Sequence, residues 1–173
     1  MGLDKAFCYI ALSLYSSIGY ADTYRYDIVD ESDELECLAL NIYFEARGSI
    51  LADKIATGDV VLNRVDDVRY PNTVCAVVKD AEYSAWHKER GKISPIRNKC
   101  QFSWWCDGKS DNPVNEDRWE ESLLIAYKLL HTEKWSGITS GATHYHADYV
   151  TPYWADSLHK IGRIGSHVYY RWD

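Results

Sequence analysis

A chain of 173 residues suits one globular domain with a sizeable core and leaves no comfortable room for a second domain or a long repeat array. Its 26 Asp and Glu against 19 Lys and Arg, a net charge of −7, provide no basic footprint for DNA or RNA, so nucleic acid is not an expected partner. The 14 Tyr and 7 Trp are abundant, and such rings either line sugar-binding grooves or fill cores.

At the N-terminus, Lys5 precedes the apolar run Ala6 to Leu14, and Gly19-Tyr20-Ala21 offers small residues at a cleavage position. Residues 1–21 are therefore expected to be a secretory signal peptide, with a retained signal anchor or a buried helix as alternatives. No later segment approaches the roughly 20 apolar residues of a membrane span, so none is expected in the mature chain. Loss of Cys8 with the signal would leave Cys37, Cys75, Cys100 and Cys106. In an exported chain these predict two disulfides, with three connectivities open. The absence of any CxxC pair argues against a zinc knuckle.

A polar lead over 22–34 gives way to a domain expected over 35–173. Asp33 and Glu36 form a capping-box-like pair for a first helix, which Gly48 ends. A second helix is predicted from Asp53 to about Asp67, with Ile55, Leu62 and Val65 on one side and Gly58 admitting a close neighbour. Tyr70-Pro71-Asn72 reads as a turn, and Thr73 as the cap of a short helix. The segment from His87 to Lys99, rich in Lys and Arg, reads as a loop that could border a cleft. A long helix follows from Asn115 to about Thr132, where Trp119, Leu123, Ala126, Tyr127 and Leu130 keep helical period. Thr143-His144-Tyr145-His146 and His167-Val168-Tyr169-Tyr170 read as short strands. The expected fold class is α+β, mainly α, with a small β element near the C-terminus.

The first helix carries the most informative residue. Leu35, Leu38, Ala39, Ile42 and Ala46 recur at spacings of three and four and share a buried face. At about 100° per residue, Glu45 falls about 20° from Leu38, on the edge of that stripe. Burial there disfavours ionisation, and a protonated Glu is what a general acid requires. Pairing of Glu45 with Arg47 or Arg64 is the structural alternative.

Six ordered strings carry a family resemblance: Cys37-Leu38-Ala39 through Ile42-Tyr43-Phe44-Glu45-Ala46-Arg47-Gly48; Val60 through Val65; Tyr70 through Cys75; Cys100-Gln101-Phe102-Ser103-Trp104; Gly141 through Ala147; and Ile161 through Arg171. Over about Glu36 to Arg171 the chain resembles the catalytic domain of the spore cortex-lytic enzyme (SleB-like) cell wall hydrolase family. The resemblance implies a lysozyme- and transglycosylase-like fold and peptidoglycan glycan strands as substrate. It also implies cleavage after N-acetylmuramic acid by a lytic-transglycosylase-type reaction, with Glu45 as the catalytic residue and no cofactor. Gln101 and Ser103 have groups suited to orienting N-acetyl or ring hydroxyls, while Phe102, Trp104 and Tyr145 could wall the groove, with His144 and His146 beside it. Ser49 replaces an acidic residue common in the family, and Thr57-Gly58 a more Ala-rich stretch. A monomer acting in the periplasm or cell wall is expected, in wall remodelling, spore germination or phage-type lysis.

Two alternatives remain at this level. A muramidase would need a second carboxylate about 5 to 9 Å from the first, for which Asp59, Asp107 and Asp148 are candidates. A metal-dependent amidase or peptidase would use His144, His146 and His167 as zinc ligands.

Overall fold

The computed structural model describes residues 33–132 and 135–173, so the expected signal peptide, Cys8 and nearly all of the 22–34 lead lie outside the described residues. The described residues form five helices and five short strands, in the order α1 (Asp33–Ala46), α2 (Leu51–Asp66), α3 (Val74–Val78), β1 (Ala81–Tyr83), α4 (Ala85–Lys88), β2 (Pro95–Cys100), α5 (Glu116–His131), β3 (His144–Ala147), β4 (His159–Ile164) and β5 (His167–Arg171). Single 3-10 turns occupy Ser103–Cys106 and Ala155–Ser157.

Helix α1 is the hub, packing on α2, α3 and α5. All five residues of its predicted apolar face are buried, and Cys37, Asn41 and Tyr43 are buried with them. Tyr43 reaches the start of α5, where its hydroxyl accepts from the Val114 and Asn115 amides, each at 3.1 Å. Asn115 caps that helix by accepting from the Arg118 amide at 2.9 Å, which relieves one of the unpaired donors of the first turn. The buried stripe of α5 is Ser122, Ile125, Ala126 and Leu129, one residue out of phase with the expected one. The larger Trp119, Leu123, Tyr127 and Leu130 flank it, half-buried, because bulk at the rim of a stripe mimics the period of the stripe itself.

The short α3 is capped twice. Thr73 accepts from the Ala76 amide as expected, and Glu34 of α1 accepts from the Val74 amide at 2.6 Å. Cys37–Cys75 links the same two helices, and Cys100–Cys106 joins the end of β2 to the 3-10 turn that follows. Of the three pairings open to the sequence, this is the one whose partners the packing brings together.

Helix α2 departs most from an amphipathic pattern. Asp53, Lys54, Thr57, Asp59 and Arg64 are buried beside Ile55, Ala56, Val60 and Val61, because the helix is covered by α1 and α5 on one side and by the C-terminal sheet on the other. Each of these side chains has at least one partner, as burial demands, although Arg64 Nη1 has none among the described residues. Lys54 pairs with Glu121 of α5 at 2.7 Å. Asp59 accepts from the Gly137 and Thr139 amides at 2.8 and 3.0 Å, and Asn63 donates to the Ala142 carbonyl at 2.9 Å, which fastens the loop before β3.

The C-terminal sheet has the order β3-β5-β4, all antiparallel, with β5 central and buried. Strand β4 was not visible in the sequence pattern. The segment 87–99, expected as a loop, instead holds the end of α4 and most of β2, and β2 pairs antiparallel with β1. Neither strand of that hairpin has a buried face, so no hydrophobic alternation marks it.

Gly58 confirms the expected close approach: a Cβ there would lie 2.5 Å from Leu129 Cδ1 and 3.0 Å from Ile42 Cδ1. Gly58→Val should therefore lower stability by about 1–3 kcal/mol through overpacking, checked by urea unfolding of the two proteins.

Candidate active site

Glu45 sits in the last turn of α1 and is half-buried against the sheet. Among the described residues its one side-chain hydrogen bond comes from Tyr145, whose hydroxyl donates to Oε2 at 3.2 Å. Burial raises its pKa above the ordinary carboxylate value, and the Tyr145 bond and the nearby His167 and Arg64 offset only part of that. Among the described residues Glu45 has no ion pair. Arg47 turns away to lie over the Tyr43 and Phe44 rings. Arg64 instead donates from Nε to the Thr143 carbonyl at 2.8 Å, with its guanidinium between the Tyr70 and Phe102 rings.

Tyr145 is half-buried, and desolvation of its hydroxyl pushes its pKa well up and keeps it a hydroxyl donor. It is held from behind. Its ring meets the edge of His167 at 5.1 Å, and His167 Nδ1 is 2.9 Å from Asp53 Oδ1. Asp53 lies in the first turn of α2, has no exposed surface, and accepts from the Tyr169 hydroxyl at 2.8 Å and from the Ser166 amide and hydroxyl at 3.1 and 2.9 Å. Burial alone would raise the Asp53 pKa, but the bonds from His167, Tyr169 and Ser166 outweigh it and hold it at about 2. Gly165 makes this contact possible: its φ is +58°, and a Cβ there would lie 2.7 Å from that of Asp53.

The remaining predicted site residues divide into two groups. Gln101, Phe102, Ser103 and Trp104 lie on the turn that follows β2. Phe102 and Trp104 are buried, while Gln101 and Ser103 are exposed. Trp104 stacks on Phe44 at 4.9 Å and donates from Nε1 to Asn41 at 3.2 Å, so it supports the end of α1 from below. His144 and His146 lie on the other face of the sheet from Tyr145. In the register of β3 with β5, Tyr145 opposes Tyr169 and Ala147 opposes His167 on one face, while His144 opposes Tyr170 and His146 opposes Val168 on the other. His146 accordingly meets Tyr170 and Trp154, and His144 meets Trp154 and Trp172. Burial, with Arg64 and Arg69 nearby, lowers the His144 pKa to about 4.

This alternation corrects the zinc alternative, since His167 projects away from the side shared by His144 and His146. The second-carboxylate candidates are also committed elsewhere. Asp59 holds the loop before β3, Asp148 pairs with Arg163 at 2.8 Å, and Asp107 pairs with Lys109 at 3.4 Å. Sequence reasoning missed Asp53, which meets its partners 113 to 116 residues away and has no local signal. It found His167 but gave it the wrong chemistry.

Comparison with known proteins places these features. Residues 48–170 match the family model described as Cell Wall Hydrolase, a span that begins three residues after Glu45. A spore cortex-lytic enzyme of Bacillus subtilis is 25% identical over 138 residues, which take in 80% of this chain and 37% of that protein's length. Two solved structures share the fold. The catalytic domain of the germination-specific lytic transglycosylase SleB from Bacillus anthracis has a TM-score of 0.57 at 23% identity, over 80% of this chain and 93% of that one. The SleB catalytic domain from Bacillus cereus has a TM-score of 0.54 at 24% identity, over 80% and 89%.

A carboxylate whose folded pKa is depressed stabilises the fold above its ordinary pKa and loses that contribution as pH falls through the depressed value. The stability gap between the wild type and Asp53→Asn should be constant above about pH 4 and narrow by about 2 kcal/mol on approaching pH 2. Urea unfolding at stepped pH measures it, and a gap independent of pH would show that the Asp53 charge contributes nothing.

Proposed function

The chain belongs to the Cell Wall Hydrolase family, and from that premise we propose that it is a peptidoglycan-cleaving glycosidase of the lytic-transglycosylase type, with Glu45 as its single acid and base. The observation that carries this reading is one half-buried carboxylate of raised pKa, bonded among the described residues only to a neutral hydroxyl, with every other candidate carboxylate tied up in structural bonds. The Bacillus relatives, a spore cortex-lytic enzyme and a germination-specific lytic transglycosylase, support the same reading.

Glu45 protonates the glycosidic oxygen that leaves N-acetylmuramic acid C1 as the C1–O bond breaks and an oxocarbenium-like centre forms. The resulting carboxylate then takes the proton of the same sugar's C6 hydroxyl while that oxygen bonds to C1. The ring closes to a 1,6-anhydro sugar, Glu45 ends protonated, and no water is consumed. A hydrolytic route would need a second carboxylate to activate water or trap C1. Asp53 is unsuited to that task, because four donors and complete burial leave its oxygens no free lone pair facing substrate. Tyr145 fixes the carboxyl rotamer and, by donating to Oε2, keeps the second half-reaction within reach by favouring the carboxylate. The two disulfides fit an oxidising compartment, so action outside the cytoplasm, in periplasm or wall, is part of the proposal.

Glu45→Gln keeps shape but removes the transferable proton, so release of fragments from purified sacculi should fall by about 10²- to 10⁴-fold with the fold intact. Mass spectrometry of wild-type products should find 1,6-anhydro-muramic ends, each lighter by one water than a reducing end. Reducing ends alone would make the enzyme a muramidase, and free stem peptides would overturn the glycosidase reading.

For Tyr145→Phe the sign follows from the hydrogen bond. A general acid loses activity as pH rises through its pKa, and removal of the Tyr145 donor removes an interaction that lowers that pKa. The alkaline limb of kcat/KM should therefore move to higher pH in Tyr145→Phe, even as the maximal rate drops. A limb that stays in place or moves down would detach Tyr145 from the titration of Glu45.

A further inference from the structure

The β1–β2 hairpin has a composition that neither fold nor catalysis explains. Between Ala81 and Cys100 it carries Lys88, Arg90, Lys92, Arg97 and Lys99 against only Glu82 and Glu89, all exposed, in a chain whose net charge is −7. Large apolar side chains stand among these charges: Trp86 is 58% exposed and Ile93 86%. Ile96 and Tyr83 are exposed beside them. The Arg90 guanidinium lies 4.0 Å over the Trp86 ring, so cation and aromatic are presented as one unit. Among the described residues only two weak ion pairs, Lys99 with Glu82 at 3.5 Å and Arg90 with Glu89 at 3.9 Å, draw on this positive charge, and exposed pairs of this kind contribute little.

The hairpin is fastened at its base, and the chain leads from there to the end of α1 that carries Glu45. Its base is tied by the Gln101 amide to the Asp80 carbonyl at 3.0 Å and by the Cys100–Cys106 disulfide. Strand β2 runs directly into the turn whose Trp104 stacks on Phe44, the residue before Glu45. An exposed cationic and aromatic finger on an otherwise acidic protein suits an anionic partner with apolar faces. Peptidoglycan meets both needs, since its stem peptides carry free carboxylates and its pyranose rings offer C–H faces for stacking. An acidic enzyme is otherwise repelled by such a polymer.

We infer that the β1–β2 hairpin is a wall-docking surface, which binds the carboxylate-bearing stem peptides and sugar faces of a glycan strand adjacent to the one cleaved at Glu45. The inference rests on the peptidoglycan reading above. It gives the chain a means of holding the insoluble wall through the catalytic domain's own surface. The salt dependence of such contacts is their signature, because exposed charges are screened over about 10 Å at 0.1 M salt.

The test is co-sedimentation of the full chain with purified insoluble sacculi, across a salt series, for the wild type, a Lys88→Glu/Lys92→Glu double variant, Trp86→Ala, and Lys160→Glu as an exposed reversal on β4. The double variant should bind about tenfold more weakly at low salt, with the difference shrinking at high salt. Trp86→Ala should weaken binding at all salt concentrations, while Lys160→Glu should change it less than twofold. The ratio of turnover on sacculi to turnover on short soluble glycan fragments should fall for the double variant. Hairpin variants that bind sacculi like the wild type would overturn the inference and leave the peptidoglycan reading standing. Loss of binding to anionic phosphatidylglycerol vesicles with sacculus binding intact would overturn it in favour of a membrane surface. A wild type that releases no glycan products from sacculi would instead overturn the peptidoglycan reading itself.

Discussion

A buried carboxylate at the start of α2 holds the two halves of this protein together. Asp53 has no exposed surface and takes four hydrogen bonds, all from the Ser166–Tyr169 stretch at the start of β5. A buried charge left unpaired is strongly destabilising, whereas one surrounded by donors defines a single geometry. The contact therefore fixes the β4–β5 turn on the helix, and with it the sheet that carries His167 and Tyr145. Gly165 completes the constraint, since only a residue without a side chain brings the turn so close to Asp53.

From that anchor the position of Glu45 follows in two steps. The ring of His167 backs Tyr145, and Tyr145 in turn donates to Glu45. The acid comes from the helical half and its hydrogen-bond donor from the sheet half, so the reactive group lies at the seam between them. Phe44 stacks on Trp104 at the helix end, and desolvation by burial is the first cause of the raised Glu45 pKa. The same desolvation keeps Tyr145 protonated, so it faces Glu45 as a neutral hydroxyl donor rather than as a charged partner.

Where local period and local chemistry coincide, the fold was legible in the sequence. The buried face of α1, the Thr73 cap and the close approach at Gly58 all depend on residues within a few positions of one another or on one missing side chain. The edge position of Glu45 followed from helix geometry alone. Helix α2 was legible as a helix but not as a helix covered on both sides, because Asp53, Lys54 and Arg64 look like solvent-facing charges until their partners on α5 and the sheet are known. The three His illustrate the limit of pattern. Alternation on one strand correctly puts His144 and His146 on a common side, but which side His167 takes depends on the register of β3 with β5, and no local signal sets that. The hairpin over 81–100 was missed for the opposite reason: with both faces in solvent it has no hydrophobic period at all.

Anchoring one acid at such a seam has a mechanical consequence. Displacement of the sheet relative to α1 changes the Tyr145–Glu45 distance directly, and a hydrogen bond weakens steeply with distance and angle. Three further ties oppose such sliding: Arg64 on the Thr143 carbonyl, Asn63 on the Ala142 carbonyl, and Asp59 on the Gly137–Thr139 turn. All of them, like Asp53, issue from α2. That helix accordingly carries an unusual density of buried polar side chains, where a purely apolar core would bind the sheet less specifically. Apolar contact is non-directional and tolerates a shift of an ångström or so, while four separate polar ties along one helix do not. The buried polarity of α2 is thus a requirement of keeping a single carboxyl group at a set distance from a donor on another structural layer.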